Sequence, residues 1–195
     1  MKNSIKLPVL LTSLFLVLMI AYFVFNGNYE FIGYAGVVAL LLFFVVKLDE
    51  KYDFPAIGIW LFCIWVVMHL LGGSIYLQGT RLYDLILIDL IGSPYFILKY
   101  DQVVHAVCFF TFSILVYFIL KKHMKQDQTI SLICFTILAT LGISLLNEIM
   151  EFGMVVFADA AQAVGDYYNT ALDMVFNLIG AVIGVFFTRN FLDKY

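Results

Sequence analysis

The chain contains 195 residues, of which 64% are hydrophobic and only 13% are charged, and its formal net charge is −3. Soluble domains have about half apolar and about a quarter charged residues, so this composition excludes an ordinary soluble protein and indicates a chain that lies mostly in lipid. The negative net charge and the scattered basic residues also exclude a typical nucleic-acid-binding protein.

Six apolar segments are long enough, or nearly long enough, to cross a bilayer. A crossing takes about 20 apolar residues, and backbone groups in lipid must pair within their own segment, so each segment is predicted to be a helix. In chain order they are Leu7–Phe25, Phe31–Val46, Phe54–Tyr76, Val103–Leu120, Thr129–Phe157 and Thr170–Thr188. The predicted fold is therefore an all-α polytopic membrane protein with about six transmembrane helices in a single domain, residues 1–195.

The segment between the third and fourth predicted helices, LQGTRLYDLILIDLIGSPYFILKY, has an intermediate character. It is too polar for a clean crossing and too apolar for a free loop. We therefore expect it to lie against the membrane as an interfacial or re-entrant element.

The positions of Lys and Arg predict how the helices are oriented. With both termini in the cytoplasm, nine basic residues fall on the inner side and only Arg81 and Lys99 fall on the outer side, which is a strong positive-inside signal. The inner residues are Lys2, Lys6, Lys47, Lys51, Lys121, Lys122, Lys125, Arg189 and Lys194. The outer acids are Glu30, Asp84, Asp89, Asp101, Glu148, Glu151, Asp159, Asp166 and Asp173. The outer face is thus predicted to be acidic.

Tyrosines are also concentrated on the outer side. Aromatic side chains with a polar tip favour the membrane–water interface, so these residues predict an aromatic belt. They are Tyr76, Tyr83, Tyr95, Tyr100, Tyr167 and Tyr168.

Ionisable and amide side chains recur near the outer ends of the last four helices. Such groups are costly in a membrane and need a structural or functional reason. They are His69 on the third helix, Asp101 and His105 on the fourth, Ser144, Asn147, Glu148 and Glu151 on the fifth, and Thr170, Asp173 and Asn177 on the sixth. Because consecutive helices with short connections are neighbours, these groups are predicted to share one cavity. Gly180 and Gly184 continue the stripe on the sixth helix as a close-packing face.

Imidazoles and carboxylates in one cavity fit several kinds of chemistry. They suit a divalent metal of the zinc or manganese kind, and the predicted donors are His105, Glu148, Glu151 and Asp173. Without a metal, clustered carboxylates can serve as general acid and base. A proton or cation path is an alternative, and so is a buried polar network that only fixes the helix register.

Several motifs in the later part of the chain resemble a known family. They are HLLGGSIY from His69, LYDL around Asp84, YDQVVH ending at His105, NEIMEF through Glu148 and Glu151, and GDYYNTALDMVFNLIGAVIG from Gly165. Together they resemble the VanZ-like superfamily of bacterial membrane proteins, most closely its YjdF-type branch of inner-membrane proteins. The resemblance covers residues 69–184, the VanZ-like core, whereas residues 1–68 form N-terminal helices without site motifs. Asn147 and Asn169 depart from the pattern, which more often has an aromatic residue and an Asp there.

The resemblance implies a multi-pass protein of the bacterial cytoplasmic membrane. One family member is linked to low-level resistance to a glycopeptide antibiotic, which points to the cell envelope. The residues that match the family pattern individually are Asp101, His105, Glu148, Glu151, Asp166, Asp173 and Asn177.

These observations lead to one main hypothesis. The chain is predicted to bind or act on an envelope lipid or lipid-linked head group in an outward-facing acidic pocket, with a divalent metal as the candidate cofactor. The predicted catalytic residues are His105, Glu148, Glu151, Asp173 and Asp101. The predicted substrate-binding residues are His69, Asp84, Asp166 and Asn177. A small ion-coupled transporter and a structural assembly factor without catalysis remain alternatives, and membrane lipids are the expected partners in each case.

Overall fold

The computed structural model describes residues 2–125, 128–158 and 165–193. Within these residues six helices are long and apolar enough to cross a membrane, which confirms the predicted fold class. They are α1 (Asn3–Phe25), α2 (Tyr29–Tyr52), α3 (Ala56–Ser74), α4 (Tyr100–Lys121), α5 (Thr129–Ala158) and α6 (Tyr167–Phe187), and a π-helical turn over Thr188–Leu192 continues α6. Two residues used in the charge argument, Asp159 and Lys194, lie outside the described residues.

Polar side chains start α4 and α6 about one turn earlier than hydropathy predicted. At the start of α4 the Gln102 side-chain oxygen accepts a hydrogen bond from the Lys99 N–H at 3.1 Å. At the start of α6 the Asp166 carboxylate accepts one from the Asn169 N–H at 3.0 Å. Side-chain acceptors of this kind satisfy the N–H groups that the first turn of a helix leaves unpaired. The additional turns bring Asp101 and Asn169 into helices.

Ionic contacts show which helix ends lie together. Lys2, just before α1, pairs with Asp49 in α2 at 3.1 Å, and Lys121 in α4 pairs with Asp193 after α6. Lys122 also donates to the backbone carbonyl of Lys51. We call this the terminal end, because both described chain ends lie there. The opposite end is the hairpin end.

The connector between α3 and α4 forms two short antiparallel hairpins. β1 (Tyr76–Leu77) pairs with β2 (Thr80–Arg81), a 3-10 turn spans Leu82–Asp84, and β3 (Ile86–Ile91) pairs with β4 (Ile97–Lys99). Apolar side chains of β3 are largely exposed, including Ile88 at 56% and Leu90 at 65%. An exposed apolar surface is what an interfacial segment presents to lipid, and the interfacial placement stays a prediction.

Helix α4 is the most buried of the six spanning helices and packs most extensively against α6. A Cβ atom on Gly180 would overlap the carbonyl oxygen of Ala106, and one on Gly184 would overlap the carbonyl oxygen of Phe110. Only a residue without a side chain permits backbones to approach this closely. The close-packing face predicted for the sixth helix is therefore confirmed, and it brings the polar groups of α4 and α6 within reach of one another.

Candidate functional site

Asn177 joins three helices at the hairpin end. This fully buried residue of α6 accepts a hydrogen bond from His105 Nδ1 in α4 at 2.9 Å through its Oδ1 atom. Its amide nitrogen donates to Ser144 Oγ at 2.7 Å and to Glu148 Oε1 at 3.2 Å, both in α5. Because the amide oxygen can only accept, the proton of this bond lies on Nδ1 of His105.

The second nitrogen of His105 faces a carboxylate. His105 Nε2 lies 3.7 Å from Asp101 Oδ1, one helical turn earlier in α4. Asp101, His105 and Asp173 each offer one donor atom, and these three atoms lie within 4.8 Å of one another. We call these three residues the acid–imidazole cluster. With Nδ1 protonated, a neutral imidazole would present a lone pair at Nε2 to an acceptor oxygen, and a proton or a cation between the two atoms would relieve their repulsion.

Asn169 orients both acids of the cluster. Its amide nitrogen donates to Asp101 Oδ2 at 3.2 Å and to Asp173 Oδ2 at 2.7 Å. Lys99 in turn donates to the Asn169 side-chain oxygen at 3.3 Å. One oxygen of each carboxylate is thereby held, which leaves the other oxygen of each to serve as a ligand. Outer hydrogen bonds of this kind commonly orient the ligands of metal sites.

Two buried carboxylate oxygens have no hydrogen-bond partner among the residues that the structure describes. They are Asp173 Oδ1 and Glu148 Oε2, on side chains of residues that are 1% and 8% exposed. A buried acceptor without a partner costs about 1–3 kcal/mol, and more when it is charged. The site therefore has more acceptor capacity than the surrounding donors satisfy.

The four predicted metal ligands do not all lie together: two belong to the acid–imidazole cluster and two lie beside it. His105 and Asp173 lie in the acid–imidazole cluster, which Asp101 completes. Glu148 stands one hydrogen bond away, through the bridging amide of α6. Glu151 accepts a hydrogen bond from an amide of its own helix at 2.8 Å. The two glutamates border the three-donor group without belonging to it.

A cleft of about 270 Å³ opens next to the cluster at the hairpin end. Asp101 and Asn169 line the cleft and also belong to the buried network, so the cleft reaches the cluster. Side chains of the connector and of the start of α6 form its rim, namely Arg81, Asp84, Tyr95, Lys99, Asp166 and Tyr168. The predicted substrate-binding residues Asp84 and Asp166 thus face one cleft, where Arg81 forms an ion pair with Asp84 at 3.1 Å.

His69 lies in a separate aromatic pocket. Its Nδ1 is 2.6 Å from the Tyr83 hydroxyl, which also lies 2.9 Å from the His69 carbonyl oxygen. Three further rings pack around the imidazole at centroid distances of 5.5 to 6.5 Å, those of Phe31, Tyr34 and Trp65. Burial, together with the negative charges of Asp101 and Glu151, raises the pKa of Tyr83 well above its ordinary value. The Tyr83 hydroxyl therefore keeps its proton and can donate it in a hydrogen bond to His69.

Two residues of this region were not assigned correctly from the sequence. Tyr83 was predicted to belong to an aromatic belt, and this was wrong because its ring is 9% exposed and packs inside the bundle. Asn169 was noted only as a departure from a family pattern, yet it links Lys99, Asp101 and Asp173. Its place one turn before Asp173 on the same helix was the available signal.

Comparison with protein-family models matches residues 7–194 to a family described as "Predicted membrane protein (DUF2238)". The match covers nearly the whole chain. The chain belongs to this family. No curated protein and no solved structure matches it. The family description agrees with the six spanning helices and names no activity, so the function has to be argued from the site.

Proposed function

We propose that the chain binds the phosphate-bearing head group of an envelope lipid or lipid-linked molecule, and acts on it, at the cleft beside the acid–imidazole cluster. One observation carries the proposal: a cleft whose rim holds Arg81 and Lys99 is lined by Asp101, and Asp101 neighbours the buried Asp173, whose Oδ1 atom has no hydrogen-bond partner among the described residues. Arg and Lys are common partners of phosphate, whereas unpartnered carboxylate oxygens attract cations.

A divalent cation would allow an anionic head group to bind next to the buried carboxylates. Carboxylates alone repel an anionic head group, and the cluster lies at the same cleft as the two cationic side chains. Asp101, His105 and Asp173 would hold the cation, with Asn169 fixing the two acids and Asn177 fixing the imidazole. Mixed imidazole and carboxylate donors suit zinc or manganese. Such an ion supplies Lewis-acid polarisation of a phosphoryl oxygen.

The protein's own side chains would perform the remaining tasks. Arg81 and Lys99 would bind the outer oxygens of the head group, and Lys99 would also support Asn169. Glu148 and Glu151, next to the cluster, would hold or move a proton. The extensive burial of Glu148 excludes bulk water from that position.

Metal content gives the first test. Elemental analysis of the purified full chain should show a stoichiometric divalent metal, and Asp173→Asn and His105→Gln should lose most of it. Glu50→Gln is the matched control, because Glu50 is an exposed acid at the terminal end that pairs only with Lys47 among its described ionic contacts. Wild-type metal content in both cluster variants would refute the cation site.

Head-group binding gives the second test. A short-chain lipid phosphate should bind the metal-loaded chain in detergent, measured by calorimetry. Lys99→Gln should weaken this binding by about tenfold or more, since a charge-assisted hydrogen bond contributes about 1.5–3 kcal/mol. Lys47→Gln, which removes an exposed lysine at the other end, should bind as the wild type does. Equal affinity in both variants would contradict the proposed rim.

The resemblance of residues 69–184 to the VanZ-like superfamily, and to its YjdF-type branch, supports an envelope substrate and a location in the bacterial cytoplasmic membrane. In this proposal the hairpin end faces outward and the terminal end faces the cytoplasm, as the distribution of basic residues predicts. A reporter fused to the C-terminus should be active only as a cytoplasmic fusion. Activity as an exported fusion would reverse the orientation.

A second candidate function, ion-coupled transport, has its own observation. Buried polar side chains recur every four residues along α5, from Thr136 through Thr140 and Ser144 to Glu148. The Thr140 hydroxyl has no hydrogen-bond partner among the described residues. Proton flux into proteoliposomes that Thr140→Val abolishes would favour this function. Thr111→Val is the matched control, because that buried hydroxyl donates to the backbone of its own helix, α4.

A further inference from the structure

A second cleft, of about 330 Å³, lies at the terminal end between α4, α5 and α6. It is separate from the proposed head-group site, which lies at the hairpin end. Its lining includes Tyr117, Lys121, Lys125, Thr129, Arg189 and Asp193. We propose that this cleft binds the phosphate group of an anionic membrane lipid.

The charges of the cleft leave a positive surplus. Lys121, Lys125 and Arg189 face it, and Asp193 is the only acid among its described lining residues. Lys121 and Arg189 both form ion pairs with Asp193, and Tyr117 donates a hydrogen bond to the same carboxylate. One carboxylate thus fixes the positions of two cations but neutralises only one positive charge. The remaining charge is available to an anion.

The start of α5 adds donors to the same cleft. The helix begins at Thr129, which lines the cleft, and the Leu132 N–H donates to the Gln128 carbonyl in its first turn. The unpaired N–H groups and the partial positive charge at a helix N-terminus favour an anion. This contribution supports the basic side chains, which are the main evidence for the site.

The walls of the cleft favour a lipid over a soluble anion. Met124, Leu132 and the ring of Tyr117 line it alongside the charged groups. A phosphate with an attached glycerol and acyl chain can use both surfaces, whereas a free phosphate can use only the charged one. The terminal end is also predicted to face the cytoplasm, where basic pockets between transmembrane helices bind anionic lipid head groups.

Thermal melting of the full chain in an uncharged detergent tests the proposal. Phosphatidylglycerol should raise the melting temperature, whereas phosphatidylcholine and inorganic phosphate, added separately, should not. Lys125→Gln should reduce the rise by at least half. Lys125 is exposed and lies outside the Asp193 network, so the variant should fold and melt normally without lipid. Native mass spectrometry should show the same loss as fewer bound phosphatidylglycerol molecules.

A control variant separates this cleft from other surfaces. Lys47→Gln, which changes an exposed lysine at the same end, should keep the wild-type rise. An equal rise in Lys125→Gln and Lys47→Gln would overturn the assignment. An equal rise with phosphatidylcholine would show that the cleft does not distinguish the charge of the lipid, and would also overturn the assignment. An equal rise with inorganic phosphate would show a free-anion site and also overturn the lipid assignment.

Discussion

The two ends of the α4–α6 pair handle buried charge in opposite ways. At the terminal end a single acid, Asp193, receives two ion pairs and a tyrosine hydrogen bond. At the hairpin end Asp101, Glu148 and Asp173 surround one imidazole, and two of their oxygens have no partner among the described residues. A network that only holds helices together has no need of unsatisfied acceptors. The imbalance supports the proposed cation site at the hairpin end, and the satisfied Asp193 with its surplus of basic neighbours supports the proposed lipid-phosphate site at the terminal end.

The electrostatics of Asp193 support this reading of the terminal end. Burial alone would favour its neutral form, but hydrogen bonds from Lys121 and Tyr117, with the charges of Lys121 and Arg189, lower the pKa of Asp193 below its ordinary value. The folded state therefore stabilises the ionised carboxylate. Asp193 is a satisfied charge, in contrast to the acids of the hairpin end.

The largest expected effect comes from a substitution that separates α4 and α6, the helix pair that contributes to both polar sites. Gly180→Leu places a side chain where the Ala106 carbonyl lies, so α4 and α6 must separate. We expect a loss of about 3 kcal/mol or more, since overpacking of this kind exceeds the usual range. Size-exclusion chromatography of the detergent extract should show little folded protein. Gly142→Leu, where an added Cβ atom has nothing within 4 Å, should elute as the wild type does.

The next largest effect is the difference in stability between two variants that each neutralise one acid, at opposite ends of the helix pair. Asp193→Asn leaves Lys121 and Arg189 facing each other and should cost about 2 kcal/mol. Asp173→Asn relieves repulsion among acids, so in the presence of a chelator it should melt at or above the wild-type temperature. The same variant should lose any stabilisation by added Mn²⁺ or Zn²⁺. Comparable destabilisation by both variants in chelator would remove the contrast between the two ends.

A smaller effect tests how far the hairpin-end network is structural. Asn177→Leu removes the link among His105, Ser144 and Glu148 and should cost about 1–2 kcal/mol, the upper range for polar contacts between membrane helices. Metal binding should fall further than stability does. If function and melting temperature instead decline in proportion at every polar position, the assembly-factor alternative is favoured.

The smallest effect concerns pH. Because the folded pKa of Asp193 is lowered, its contribution is present above the unfolded value of about 3.9 and is lost as the pH falls through the folded value. Melting curves between neutral pH and about pH 3 should therefore show less acid sensitivity in Asp193→Asn than in the wild type. Identical slopes would mean that the ion pairs of Asp193 do not stabilise the fold.

Much of the fold follows from hydropathy and from residue spacing. Crossing lipid takes a fixed length of apolar helix, so the six spans could be predicted, and Gly180 and Gly184 could be recognised as a packing face. The connector was harder, because strand pairing such as Ile86 with Lys99 depends on contacts that local composition does not encode. The partnership of His69 with Tyr83 is also a tertiary contact.

Side-chain direction explains why Asp101 joins the donor group and Glu148 does not. Side chains on a helix lean towards its N-terminus. Asp101 and Asp173 lie near the starts of α4 and α6, so both lean towards the hairpin end, whereas Glu148 lies late in α5 and leans back into the bundle. Counting residues along each helix predicted that all three carboxylates lie at a similar depth in the membrane. It could not predict the direction in which each side chain points.

The lining of the hairpin-end cleft comes partly from packed helices and partly from the connector between α3 and α4. Asp101 and Asn169 stand on tightly packed helices, whereas Arg81 and Tyr95 belong to the two small hairpins of the connector and Asp84 belongs to the 3-10 turn between them. Tyr83, in the same turn, contacts His69 of α3. Exchanging the hairpins would alter what the opening admits and leave the buried groups in place. In the proposed function, the residues that admit a head group and the residues that act on it would therefore lie on different segments, so a different connector would change selectivity and leave the acid–imidazole cluster unaltered.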